Sequence, residues 1–74
     1  MGDYRLIWGQ RLKDRRLEAG KSLFALAVEV GVTPTAVAQW EQGKTAPRDS
    51  LKRQIAEALE TTPSELFAWP EEAA

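Results

Sequence analysis

The chain predicts an all-α fold, one compact domain of five short helices, and three observations carry that reading. Turn and cap signals cut its 74 residues into short segments whose apolar positions recur every three or four residues instead of alternating. Pro34 and Pro63 each follow a threonine, a pattern that opens a helix. With no cysteine and no histidine, neither disulfides nor thiolate or imidazole metal sites can hold so short a chain, so helix packing must.

Asp3 is placed to cap a first helix running to about Ala19, with Leu6, Trp8, Leu12 and Arg16 roughly along one side and Gly20 as its stop. Ser22 caps a second, in which Leu23, Leu26, Ala27 and Val30 recur at helical spacing until Gly31 ends it. Thr33 caps a third, with Pro34 at the first position, where its missing N–H costs nothing. That helix runs to about Glu41 before Gly43, with Val37 and Trp40 inward. After the loop 43–47, Asp49 or Ser50 is expected to cap a fourth helix, striped by Leu51, Ile55, Ala58 and Leu59 and ending near Glu60. Thr62-Pro63-Ser64-Glu65 supplies a capping threonine, a first-turn proline and a third-position Glu for a last helix through Phe67 or Trp69, stopped by Pro70. The domain is therefore 1–70, followed by a flexible acidic tail, 71–74.

The net charge of −1 conceals an uneven distribution. Residues 1–53 hold all ten Lys and Arg for a net +4, whereas residues 54–74 hold five Glu and no base, a net −5. Such a split allows a basic face with an acidic end turned away, as nucleic-acid readers need, although charge alone is equally consistent with solvated helix faces. The longest apolar run, residues 23–28, is far too short to span a membrane. Leu6 also stands where a myristoylation signal at Gly2 requires Ser or Thr, so no membrane partner is expected and a cytoplasmic location fits. Carboxylates such as Glu71 and Glu72 lack any histidine, cysteine or glycine-rich phosphate loop beside them, so the chain is expected to be no enzyme and to take no cofactor or metal.

The informative stretch is 22–43, where only Gly31-Val32-Thr33 separates two very short helices. That is too little chain for the second helix to fold back antiparallel, so the two must cross steeply. Ala27 is small enough for close approach, Gly31 supplies the turn, and Val32 and Val37 plug the core. The run Ser22-Leu23, Leu26-Ala27, Gly31-Val32-Thr33-Pro34-Thr35-Ala36-Val37, Trp40-Glu41-Gln42-Gly43-Lys44 and Pro47 resembles the helix-turn-helix domains of the phage repressor and Cro type. The resemblance extends from about Trp8 through Arg16 to Ser64-Glu65-Leu66-Phe67, nearly the whole chain. It implies a five-helix lambda-repressor-like domain in which the second helix lies across the DNA backbone and the third enters the major groove.

The resemblance also assigns roles. Thr33, Pro34, Thr35, Ala38 and Gln39 are expected to face the bases, where Gln39 suits an adenine edge and Thr35 and Ala38 offer a hydroxyl or methyl group. Phosphates are expected at Ser22, Lys44, Thr45 and Arg48, with Arg11 and Arg15 as weaker candidates. Arg16 and Glu41 sit where the family pairs helix one with the end of helix three, a structural ion pair. Leu23 stands where many members carry a phosphate-gripping Gln, which leaves only its amide for that task. The neighbouring Phe24 is expected to be buried against the first helix, the alternative being an exposed partner surface with Leu23. Trp8, Trp40 and Leu66 are expected in the core, while Trp69 is open between the core and a patch where two copies meet.

Functionally, the resemblance implies a sequence-specific transcriptional regulator, repressor or Cro-like, binding double-stranded DNA as a homodimer on a two-fold symmetric site. The alternatives are an antitoxin-type regulator that also grips a protein partner through Leu23, Phe24 or Trp69, and a protein-interaction module that kept only the fold.

Overall fold

The computed structural model describes residues 3–69. The helices are α1 (Tyr4–Glu18), α2 (Leu23–Val30), α3 (Pro34–Gln42), α4 (Asp49–Ala58) and α5 (Pro63–Phe67), with no strand among the described residues. Pro70, the expected stop of α5, and the expected acidic tail lie outside the described residues.

Side-chain oxygens cap four of the five helices, each accepting from an amide that the helix itself cannot satisfy. Asp3 accepts from the Arg5 amide at 2.9 Å, Ser22 from Ala25 at 3.0 Å, Thr33 from Ala36 at 3.1 Å and Thr62 from Glu65 at 3.4 Å. Hydrogen bonds from the Arg5 side chain, and then from its amide, hold the Asp3 carboxyl below its ordinary pKa.

The start of α4 departs from expectation. Neither Asp49 nor Ser50 is its cap: the chain stays extended through Arg48, which caps with no side-chain hydrogen bond, and Asp49 is the first helical residue. There its carboxylate sits at the positive end of the helix dipole and pairs with Lys52 at 2.9 Å, one turn on. The helix ends at Ala58, short of Glu60, which takes a left-handed conformation (φ 57°) while the Thr61 amide reaches back to the Ala56 carbonyl at 2.9 Å.

The core gathers Trp8, Leu12, Leu26, Val37, Trp40, Ile55, Ala56, Leu59, Leu66 and Phe67, so every helix contributes to it. Two apolar side chains stand largely outside the core: Leu6 is 55% exposed, resting against Gly43, and Phe24 is 66% exposed, which overturns its expected burial against α1. Trp69 takes an intermediate place, 45% exposed yet packed at the rim of an aromatic cluster, its ring centroid 4.8 Å from Tyr4 and 5.0 Å from Trp8. Gly9 was not anticipated in any role. A Cβ there would lie 2.7 Å from the Glu41 carbonyl oxygen and closer still to that of Trp40, so only glycine lets α1 rest on the last turn of α3.

Candidate nucleic-acid interface

The directions of α2 and α3 differ by 110°, within the range expected of a helix-turn-helix. Gly31 makes the corner at φ 81°, and the Val32 amide returns to the Ala27 carbonyl at 3.0 Å, closing the end of α2 before α3 begins. Neither helix, nor any other among the described residues, is by itself long and apolar enough to cross a membrane.

Burial divides α3 lengthwise. Val37 and Trp40 are buried, whereas Thr33, Pro34, Thr35 and Gln39 are exposed and Ala38 is half-buried at their margin. Gln42, one turn beyond Gln39, is exposed as well and was not singled out from sequence, although its i+3 spacing was the available signal. The exposed face is uncharged because the one charged residue of α3, Glu41, is turned to α1. Arg16 donates from Nε to Glu41 Oε2 at 2.6 Å and from Nη2 to Oε1 at 3.0 Å, and from Nη1 to the Lys21 carbonyl at 2.8 Å. Arg16 is 8% exposed, and the hydrogen bonds to Glu41 outweigh desolvation and lift its pKa above the ordinary guanidinium value. This two-pronged link ties the end of α3 to α1 and fixes the inclination of the exposed face.

The other cations sort into two groups. Arg15 donates to the Leu59 and Glu60 carbonyls at 3.2 and 2.9 Å, and Lys21 to the Ala58 carbonyl at 2.6 Å, so two cations satisfy carbonyls at and just beyond the end of α4. Arg11 donates to the Ala68 carbonyl at 3.2 Å, alongside the Trp8 indole at 2.9 Å. Arg11 and Arg15, the weaker phosphate candidates, are thus committed to the chain's own carbonyls at the C-terminal end of the fold. Arg5 pairs with Asp3, Arg53 with Glu57, and Lys52 with Asp49, its ammonium also lying 4.3 Å from the centroid of a Trp8 ring.

Among the described residues, Lys13, Lys44 and Arg48 are left with neither an ion pair nor a side-chain hydrogen bond, and all three are exposed. Lys44 is fixed directly off the end of α3: Gly43 turns at φ 78° and the Lys44 amide donates to the Gln39 carbonyl at 3.0 Å. Thr45 is exposed beside it, and Arg48 is exposed at the start of α4. Lys13 stands across an open groove of about 240 Å³ that it lines with Leu23, Ala38 and Gln42 over the Arg16–Glu41 pair. Sequence reasoning missed Lys13. The signal lay in its position, one helical turn before Arg16 and so on the same side of α1. Exposed Ser22 spends its hydroxyl oxygen on the Ala25 amide, which leaves the amides of Leu23 and Phe24 at the head of α2 without an intrahelical acceptor.

Comparison with known proteins gives a consistent result. The chain matches the family model of a helix-turn-helix domain over residues 8–69. It superposes on the P22 c2 repressor, solved in complex with synthetic operator 9T, with a TM-score of 0.80 at 31% identity, covering 84% of this chain and 94% of that one. The restriction-modification controller protein C.AhdI of Aeromonas hydrophila gives 0.80 at 32% identity, over 85% and 96% of the two chains. Hydroxypropylphosphonic acid epoxidase of S. wedmorenis gives 0.77 at 33% identity over 84% of this chain, which spans only 33% of the epoxidase. No curated protein sequence matches.

Proposed function

Because the chain belongs to the helix-turn-helix domain family, we propose that it is a DNA-binding transcriptional regulator of the repressor and Cro type that lays α3 in the major groove of double-stranded DNA. One observation carries this reading. The exposed face of α3 is uncharged, and of the cations left unpaired among the described residues Lys44 follows directly on its end and Lys13 stands across the groove beside Ala38 and Gln42. An uncharged strip flanked by free cations suits a duplex, whose base edges lie in a groove between two rows of phosphates. The P22 c2 repressor, similar over nearly its whole length, is itself an operator-binding protein.

In this reading Thr33, Pro34, Thr35, Ala38 and Gln39 face base edges, joined by Gln42. Lys44, Thr45, Arg48 and Lys13 meet phosphates, together with the head of α2 at Ser22. Arg16 and Glu41 touch no DNA and hold α3 at its working angle. The reading unit is the domain 1–70, two copies of which bind a two-fold symmetric site in the cytoplasm, and it catalyses nothing.

A protein partner is the second reading, favoured by Phe24 and Val28, which are one turn apart on α2 and 66% and 63% exposed. Selection of binding sites from random duplexes at two salt concentrations tests the first reading. A recurring half-site, with affinity falling as salt rises, is expected. Enrichment of no sequence at either concentration, together with a stable complex with a second protein, would favour the partner reading instead.

A further inference from the structure

We infer that the base pairs beneath α3 are A·T pairs, with glutamine amides on adenine and thymine methyl groups against Pro34, Thr35 and Ala38; the inference rests on the groove placement proposed above. Each base asks for a different complement in the major groove. Guanine shows two acceptors and calls for Arg or Lys, and the cytosine amino group calls for a carboxylate. Adenine shows an acceptor and a donor together and calls for an amide, and the thymine methyl calls for apolar carbon.

Beyond threonine hydroxyls, which suit either kind of pair, the exposed face of α3 holds only the last two of these complements. Gln39 and Gln42, one turn apart, supply two amides, and Pro34, Thr35 and Ala38 supply carbon. Glu41, the sole carboxylate of α3, has a side chain only 7% exposed and both oxygens bonded to Arg16, so it is withdrawn from cytosine. No cation is carried on α3 to meet guanine: Lys44 follows the helix end and Lys13 stands on α1, across the groove beside Ala38 and Gln42. The withdrawal of Glu41 therefore does two things, since it anchors α3 and leaves the reading face without a charged complement to a G·C pair. From Thr35 to Gln42 the helix advances about 10 Å, which matches about three base-pair steps. The A·T core should be about that long, inside a site whose flanks are set by phosphate contacts and DNA shape.

The test uses the full chain and the half-site recovered from random duplexes. Replacing a core thymine by deoxyuridine removes only its methyl group, and replacing a core adenine by 7-deazaadenine removes only its N7 acceptor. A severalfold weakening is expected from the first change at one or more positions. A loss of about five- to a hundredfold is expected from the second at one position, absent in the Gln39→Ala or Gln42→Ala variant that has already lost that contact. Recovered half-sites with G·C at the core, or indifference to both base analogues while binding stays salt-dependent, would overturn the inference and leave the groove placement standing. Absence of salt-dependent DNA binding would overturn both.

Discussion

Arg16 on α1 holds Glu41 of α3 through two hydrogen bonds, with Nε 2.6 Å from one carboxylate oxygen and Nη2 3.0 Å from the other. Both side chains are nearly closed to water, at 9% and 7% exposure, so each charge depends on the other. Glu41→Gln or Arg16→Met strands the remaining charge and should cost about 3–5 kcal/mol, enough to unfold most of a domain this small. The double variant Arg16→Met/Glu41→Leu should lose much less, because no uncompensated charge remains buried. Urea melts followed by circular dichroism give the comparison, and equal losses in the single and double variants would contradict it.

The contact between Gly9 and the carbonyls of Trp40 and Glu41 gives a second expectation. Gly9→Ala would ordinarily favour a helix, yet here the added methyl meets backbone that cannot swing aside. A loss of at least about 1–3 kcal/mol is expected in the same melts, with unchanged or raised stability as the contradicting result.

Much of this architecture was legible because local chemistry dictates it. Ser22, Thr33 and Thr62 announce helix starts through their own hydroxyls, Pro34 and Pro63 fit only a first turn, and Gly31 and Gly43 take positive φ angles that other residues resist. What was not legible depends on residues far apart in sequence. Arg15 is a weaker phosphate candidate by sequence, but the carbonyls that claim it belong to Leu59 and Glu60, just past α4. Phe24 is expected against the first helix, with an exposed partner surface as the alternative; the packing of α2 buries Leu26, Ala27 and Val30 and leaves it facing out. The cap of α4, at Arg48, lies one or two residues before the cap expected at Asp49 or Ser50, since both have the chemistry of a cap while the backbone already turns helical at Asp49. The reading face emerged from the third helix's pattern, but the cations around it could be separated from those spent on carbonyls only in three dimensions.

That separation leads to a contrast between two cations. Lys44→Ala should weaken binding to every duplex by a similar factor, leaving sequence preference and stability nearly unchanged. Arg15→Ala should leave DNA affinity nearly unchanged and lower stability, since the Leu59 and Glu60 carbonyls just past α4 lose their donor. Filter binding and urea melts on both variants read the two effects, and a reversed pattern would contradict the assignment.

Acid should loosen the head of α1 through Asp3. Its folded pKa lies below the ordinary 3.8, so its capping contribution is complete above that value and is lost as pH falls through the folded pKa. The Arg5 amide, which donates to Asp3, should report this in an NMR titration as a shift with a midpoint below 3.8. Asp3→Asn should abolish it, and a midpoint at or above the ordinary value would contradict the cap.

The most direct measurement is the salt dependence of duplex binding for the native chain and for the triple variant Lys13→Ala/Lys44→Ala/Arg48→Ala. If these three side chains meet phosphates, the slope of log K against log salt should be shallower in the variant by about 3 per bound copy. Parallel slopes for the two proteins would show that α3 and its surrounding cations are not the face that meets DNA.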